Sequence, residues 1–208
     1  MSRLNANTVE TIYSMAIGEL KKNGLLYMYF EIMKANSDET YKHSIRVAKE
    51  AIRLGGELGF SEADLLTLAK GGLVHDLGKL LVESNVLYKP TALNAIEMSA
   101  VKLHTKHSLY MLRTANAEYT MCDIALHHHE RLNGRGYPER LKMGQISPLV
   151  QVISIVDVYD ALIHNRCYRN AMSVEDAFEI LQNDEGLNQN YVSFLISMKT
   201  PMKGEIVA

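Results

Sequence analysis

The chain is poor in residues that interrupt helices or cross-link loops. Its 208 residues include four prolines, Pro90, Pro138, Pro148 and Pro201, and two cysteines, Cys122 and Cys167. So few prolines leave long stretches unbroken. Strand-like alternation of apolar and polar residues is scarce as well. Two thiols far apart in sequence make no disulfide framework; they read as free thiols in packed positions. An excess of positive charge is also lacking. With 22 basic against 24 acidic residues and a net charge of −2, there is no overall basic face, which argues against a nucleic-acid polymer as partner. Apolar runs are short. The longest early one, residues 25–30, falls far below a bilayer span, so no membrane partner is expected. The N-terminus has no basic flank followed by an apolar run, so no signal peptide is expected and the chain is expected to be cytoplasmic. No internal repeat, low-complexity tract or linker is visible.

What is there is helical periodicity. Val9, Ile12, Tyr13, Ala16, Ile17 and Leu20 form one apolar stripe, and Ile45, Val47, Ala48, Ala51, Ile52 and Leu54 a second. Both have the i, i+3, i+4 spacing of amphipathic helices. Gly55-Gly56 and Gly59 predict a stop. Ser61 followed by Glu62 and Asp64 reads as an N-cap with an acidic first turn, so a helix is expected from about Glu62 to Leu73. Further helices are expected near 94–115, 119–130, 148–164 and 173–183. Residues 148–164 are apolar nearly all round, which suits a central, buried helix. The length suits one domain or a core with a short appendage. The expected architecture is all-α, with residues 1–35 as an N-terminal helical segment packed on a domain of residues 36–208.

Into this apolar frame are set histidines and carboxylates. Residues 128–138 read His-His-Glu-Arg-Leu-Asn-Gly-Arg-Gly-Tyr-Pro. Imidazoles bind transition metals. The glycines let backbone approach a ligand closely, and Pro138 fixes the loop's exit. A metal site beside a tight loop points to hydrolysis of a small polar substrate. His75-Asp76 stands at the end of an expected helix, where a carboxylate can bridge two metals; taken alone, the pair is a weak signal and reads rather as a capped helix end. His43 lies upstream, with Glu39 four residues earlier on the same face. His104 follows Glu97 by two turns. Asp157 is a carboxylate inside an otherwise apolar helix, which calls for a cation, an arginine pair or cap bonds.

Read as a set, these landmarks resemble the HD-GYP family, a branch of the HD superfamily of metal-dependent phosphohydrolases. The resemblance covers about residues 38–185. It runs through His43, His75-Asp76-x-Gly78-Lys79, Lys89-Pro90 with Leu93, Glu97 to His104, the His-His-Glu to Gly-Tyr-Pro block, Asp157 to Ala161, and Arg166-x-Tyr168-Arg169. It implies the HD-domain helical bundle with the HD-GYP extension. It also implies a phosphodiesterase opening cyclic di-GMP to pGpG and onward to GMP. Another cyclic dinucleotide, such as cyclic GMP-AMP, or a metal-bound receptor without turnover, is the alternative.

The implied metal ligands are His43, His75, Asp76, His104, His128, His129 and Asp157, with Asp76 bridging. Glu39 stands where some members hold a third metal. Asp76 and Lys79 are the implied catalytic residues; Lys79, Tyr137, Arg166 and Arg169 would bind substrate. The cofactors implied are two or three divalent ions, iron or manganese foremost, with zinc, nickel and cobalt also compatible. Two such ions against two carboxylates leave a charge of about +2, which attracts a phosphodiester and acidifies water. Asp160 is expected to cap or orient a neighbour, and Glu97 and Glu130 to act structurally or behind the ligands.

The pattern is not followed throughout. Leu132 stands for an aromatic, Arg140 and Met143 for glycines, Ser147 and Cys167 for prolines, Gln151 for an arginine and Ser108 for a glycine. None removes an implied ligand; they fall around the substrate approach. No receiver or sensor domain accompanies the module, so regulation is expected from the N-terminal helices, a protein partner or a homodimer.

Overall fold

A computed structural model describes residues 4–165 and 170–200. Arg166 and Arg169 therefore lie outside the described residues. Eleven α-helices and one 3-10 helix make up the described chain, with no β-strand among them. They are α1 (Ala6–Lys22), α2 (Gly24–Asn36), α3 (Asp38–Glu57), α4 (Glu62–Val74), a 3-10 turn (Leu77–Leu81), α5 (Ser84–Leu87) and α6 (Ala95–Lys102). Then follow α7 (His104–Thr114), α8 (Tyr119–His127), α9 (Pro148–Ile163), α10 (Val174–Asn183) and α11 (Gln189–Lys199). An isolated bridge, Asn133 to Lys142, closes the loop between α8 and α9.

The helices start where the side chains supply caps. Ser61 and Asp64 form a reciprocal capping box at α4, and Asn94 and Glu97 form another at α6. Ser147 caps α9, and Pro148 follows at its first turn, where a missing N–H costs nothing. The stripe of α1 buries Val9, Ile12, Ala16 and Leu20; that of α3 buries Val47, Ala48, Ala51, Ile52 and Leu54. α9 is the buried centre expected from its sequence: Val150, Val152, Ile153, Ile155 and Val156 are all in the core. Each such side chain contributes roughly 1.5–3 kcal/mol on burial. A few of them offset the several kcal/mol it costs to bring Asp157 into the same helix. Lys70 of α4 ties α1 to the core, donating to Glu19 at 2.9 Å and to Glu118 at 2.6 Å.

The stop expected from the three glycines is present and falls at Glu57, while one expected helix is divided. Gly55-Gly56 do not stop α3, which runs on to Glu57. A Cβ at Gly55 would lie 2.6 Å from Leu68 Cδ1, so the glycine admits α4 rather than ending the helix. Gly59, at φ 77°, makes the turn. The single helix expected over 94–115 is two, parted at Leu103, whose N–H bonds Ala100 O at 3.2 Å. That tightened turn makes His104 the first residue of α7.

Candidate metal centre

Helix ends deliver most of the site. His75 caps the C-terminus of α4, with Asp76 next; His104 opens α7; His128 caps α8, with His129 next. His43 and Asp157 come from the interiors of α3 and α9. These five imidazoles and two carboxylates fall into three overlapping trios whose ligand atoms lie within 4.8 Å of one another: His43-His75-Asp157, His75-Asp76-His128 and His104-His128-His129. All seven residues singled out from the sequence thus converge. Glu39, one turn before His43, is half-buried and belongs to none of the trios among the described residues.

Three of the histidines are aimed by the same device. His75 Nδ1 lies 2.8 Å from Gly72 O, His104 Nδ1 2.7 Å from Val101 O, and His128 Nδ1 3.1 Å from Ala125 O. Each ring donates to the carbonyl three residues earlier, which assigns the proton to Nδ1 and leaves the Nε2 lone pair facing inward. His43 is held by a carboxylate instead, Nδ1 standing 2.7 Å from Asp160 Oδ2. Its Nε2 faces Asp157 Oδ1 at 3.0 Å.

Asp76 sits between the two halves. Its Oδ2 lies 3.3 Å from His75 Nε2 and 3.7 Å from His43 Nε2, and its Oδ1 3.3 Å from His104 Nε2 and 3.9 Å from His128 Nε2. Lys79 donates to Oδ2 at 2.5 Å. Burial opposes charge on Asp76, but Lys79 and His75 hold its carboxyl well below the usual range. Asp157 is likewise lowered against burial, by His43 first. Burial first, with the neighbouring imidazoles and, for two of them, Lys79 adding to it, brings His104 down to about 4 and His129 to about 3, and His128 well below its ordinary value. On His75 burial is outweighed by Asp76 and Asp157, and the pKa is raised.

This donor set fits divalent ions. His104 Nε2 and His128 Nε2 face each other at 3.3 Å, yet both rings carry their protons on Nδ1 and both are depressed. Two lone pairs so opposed repel each other, and a cation bound by both relieves that repulsion. His75 Nε2 and Asp76 Oδ1 are buried with no hydrogen-bond partner among the described residues, a costly state that a cation relieves. Imidazole nitrogens with few carboxylates favour first-row transition metals over magnesium or calcium.

The Gly-Tyr-Pro loop forms the rim. Glu130 is buried and accepts backbone N–H groups from Glu139 at 2.6 Å, Arg140 at 3.0 Å and Leu141 at 2.9 Å. Arg140, standing for a glycine, adopts φ 58°, the left-handed region glycine favours. Tyr137 stacks on His129 with ring centroids 4.7 Å apart, and burial raises its phenol well above the ordinary value. Ser108, also at a glycine position, is a clasp that sequence reasoning missed. Its hydroxyl donates to His75 O and accepts from Gly78 N, both at 2.8 Å. Lys102 at the rim was missed too: its charge alone did not separate it from other surface lysines.

Comparison with known proteins agrees with this geometry. Residues 28–189 match the HD domain family. The chain is 36% identical over 153 residues to 3'3'-cGAMP-specific phosphodiesterase 1 of Vibrio cholerae, covering 74% of this chain and 36% of that protein. It is 31% identical over 167 residues to the cyclic di-GMP phosphodiesterase of Thermotoga maritima, covering 77% of this chain and 45% of that one. The chain thus spans less than half the length of these curated relatives. Among solved structures, Bd1817, an HDG"Y"P protein of Bdellovibrio bacteriovorus, superposes with a TM-score of 0.68 at 19% identity, over 93% of this chain and 64% of that one; this likeness speaks for the fold. No described helix is long and apolar enough to cross a membrane. The chain belongs to the HD domain family, in its HD-GYP type.

Proposed function

We propose that this domain is a metal-dependent phosphodiesterase that opens cyclic di-GMP to pGpG and carries it on to GMP. The observation that carries the reading is Asp76, whose two oxygens each face a different histidine pair. Such a carboxylate joins two ion sites in one centre. His43, His75, Asp76 and Asp157 would hold one ion, and His104, His128 and His129 with Asp76 the other. When bound, the metals polarise water and neutralise charge on the phosphoryl oxygens. The chain's own residues do the rest. Tethered Nδ1 groups keep the imidazoles neutral and oriented. Lys79 holds Asp76 ionised and adds positive charge where the phosphodiester arrives. Tyr137, a neutral phenol beside His129, donates a hydrogen bond or packs on a base. Arg166 and Arg169 would grip phosphate through their planar forks.

The family resemblance favours iron or manganese, and the imidazole donors suit zinc, nickel and cobalt as well. Glu39, one turn before His43, is assigned to a third ion; Glu39→Gln then lowers metal stoichiometry by one. A second reading, 3'3'-cGAMP as substrate, is favoured by the higher identities to two Vibrio cholerae proteins of that name, 36% and 35%. The test is anaerobic metal analysis with turnover of both cyclic dinucleotides and of cyclic mononucleotides on one preparation. Preference for a mononucleotide would overturn the reading; tight binding without turnover under any metal would make the domain a receptor.

A further inference from the structure

The rim holds a cation that no described acid answers and that an aromatic ring positions. Lys102, the last residue of α6, is exposed and places Nζ 5.0 Å from the ring centroid of Tyr137. Tyr137 in turn stacks on His129 of the metal centre. The cations that touch the metal-site residues directly are engaged: Lys79 by Asp76, Arg46 by Asp160, and Arg131 by Asp184 and Ser154. Glu97, the acid of Lys102's own helix, is taken by Lys89 at 2.8 Å and by the backbone N–H of Asn94. Among the described residues Lys102 has no carboxylate partner. An aromatic face steers an ammonium without neutralising it.

A cyclic dinucleotide carries two phosphodiesters. If one lies over the metals, the other must lie at the rim. We propose that Lys102, steered by the ring of Tyr137, binds the second, uncleaved phosphodiester of the cyclic dinucleotide. The inference rests on the phosphodiesterase reading above. A lysine in a helix's last turn also offsets the exposed carbonyls there; that role would move stability and leave substrate affinity alone.

The test uses the manganese-loaded full chain and Lys102→Ala, Lys102→Arg and Lys102→Glu, with exposed Lys106→Ala as control. One lost phosphate contact predicts a KM for cyclic di-GMP about tenfold higher in Lys102→Ala. Lys102→Glu should be worse and Lys102→Arg near wild type. The loss on bis(p-nitrophenyl) phosphate, which has a single phosphodiester, should be several-fold smaller. Equilibrium dialysis with the bis-phosphorothioate analogue of cyclic di-GMP should show the same rise in Kd, without turnover. Unchanged KM and Kd in Lys102→Ala, or equal losses on both substrates, would overturn the role of Lys102 while the phosphodiesterase reading stood. A wild-type protein that cleaves bis(p-nitrophenyl) phosphate but no cyclic dinucleotide would overturn both.

Discussion

His43 Nδ1 stands 2.7 Å from Asp160 Oδ2, although the two residues are 117 positions apart. Arg46 fixes that carboxylate from the other side, Nε donating to Oδ1 at 2.7 Å and a terminal nitrogen to Oδ2 at 2.9 Å. α3 and α9 therefore orient a site imidazole jointly. Asp160→Asn keeps one oxygen and the volume but removes the charge and one acceptor. We expect about 10–100-fold lower metal affinity or activity, the usual effect of losing a carboxylate behind a ligating histidine. Metal titration read against circular dichroism checks it; wild-type affinity in a folded variant would remove Asp160 from the site.

Asp76 acts at the centre itself. Asp76→Ala removes the anion shared by four imidazoles and leaves Lys79 without its partner. Two-ion clamps are worth several kcal/mol of barrier, so the expected loss is about a thousandfold or more in kcat/KM. Far-ultraviolet circular dichroism should be unchanged. A variant that stays active would count against a bridged centre.

The separation between local and long-range information explains how far the sequence could be read. Spacing within a helix is local, so the stripes of α1 and α3, the N-cap at Ser61 and the apolar α9 were all legible. The seven convergent side chains were legible through family resemblance; periodicity could put His43 and Glu39 on one face but could not bring α3 to α9. The i−3 carbonyl tethers of His75, His104 and His128 depend on how each helix ends. Residue type does not encode that, and the break at Leu103 was accordingly missed. The stop at the three glycines was legible, but not which of them makes it: a glycine that admits a neighbouring helix, as Gly55 does, and one that ends its own, as Gly59 does, look alike in sequence. Ser108 read as a departure from pattern, yet its hydroxyl is used twice.

The depressed histidines make the metal-free protein sensitive to acid. His104 titrates near 4 and His129 near 3 in the folded chain, against about 6.5 unfolded. Below about pH 6.5 the unfolded chain takes up protons the native one refuses, so stability falls as pH drops towards 4, by up to about 1.4 kcal/mol per pH unit for His104. His129, with 21% of its side chain exposed, contributes less. The lowered carboxyls of Asp76 and Asp157 extend the loss at more acid pH. His75 and His127 run the other way: their contributions are present at low pH and lost as pH rises through their raised folded values, while the lowered His128 adds to the loss in acid. The group balance gives a urea midpoint that decreases from pH 7.5 to 5 in chelator. A flat or rising midpoint would refute the assignment of these imidazoles as neutral.

Gly78 sits where the turn after Asp76 presses against the start of α7. A Cβ there would meet His104 O at 2.0 Å and Ser108 N at 2.5 Å, both backbone atoms. Neither can step aside as a flexible side chain would, so Gly78→Ala must part the turn from α7. Overpacking of this kind costs about 1–3 kcal/mol. The displacement also moves His75-Asp76 away from His104, the two halves that Asp76 spans. Gly78→Ala should therefore lose metal from the His104-His128-His129 trio before it loses the fold, and calorimetric metal titration should show the affinities diverging. Ser108→Ala is the comparison: it removes the clasp without adding bulk, leaves Gly78 N unpaired, and should cost about 1–3 kcal/mol of stability with a smaller change in metal affinity. Equal effects of the two variants on metal binding would mean that the hydroxyl, and not the close approach at Gly78, sets the spacing.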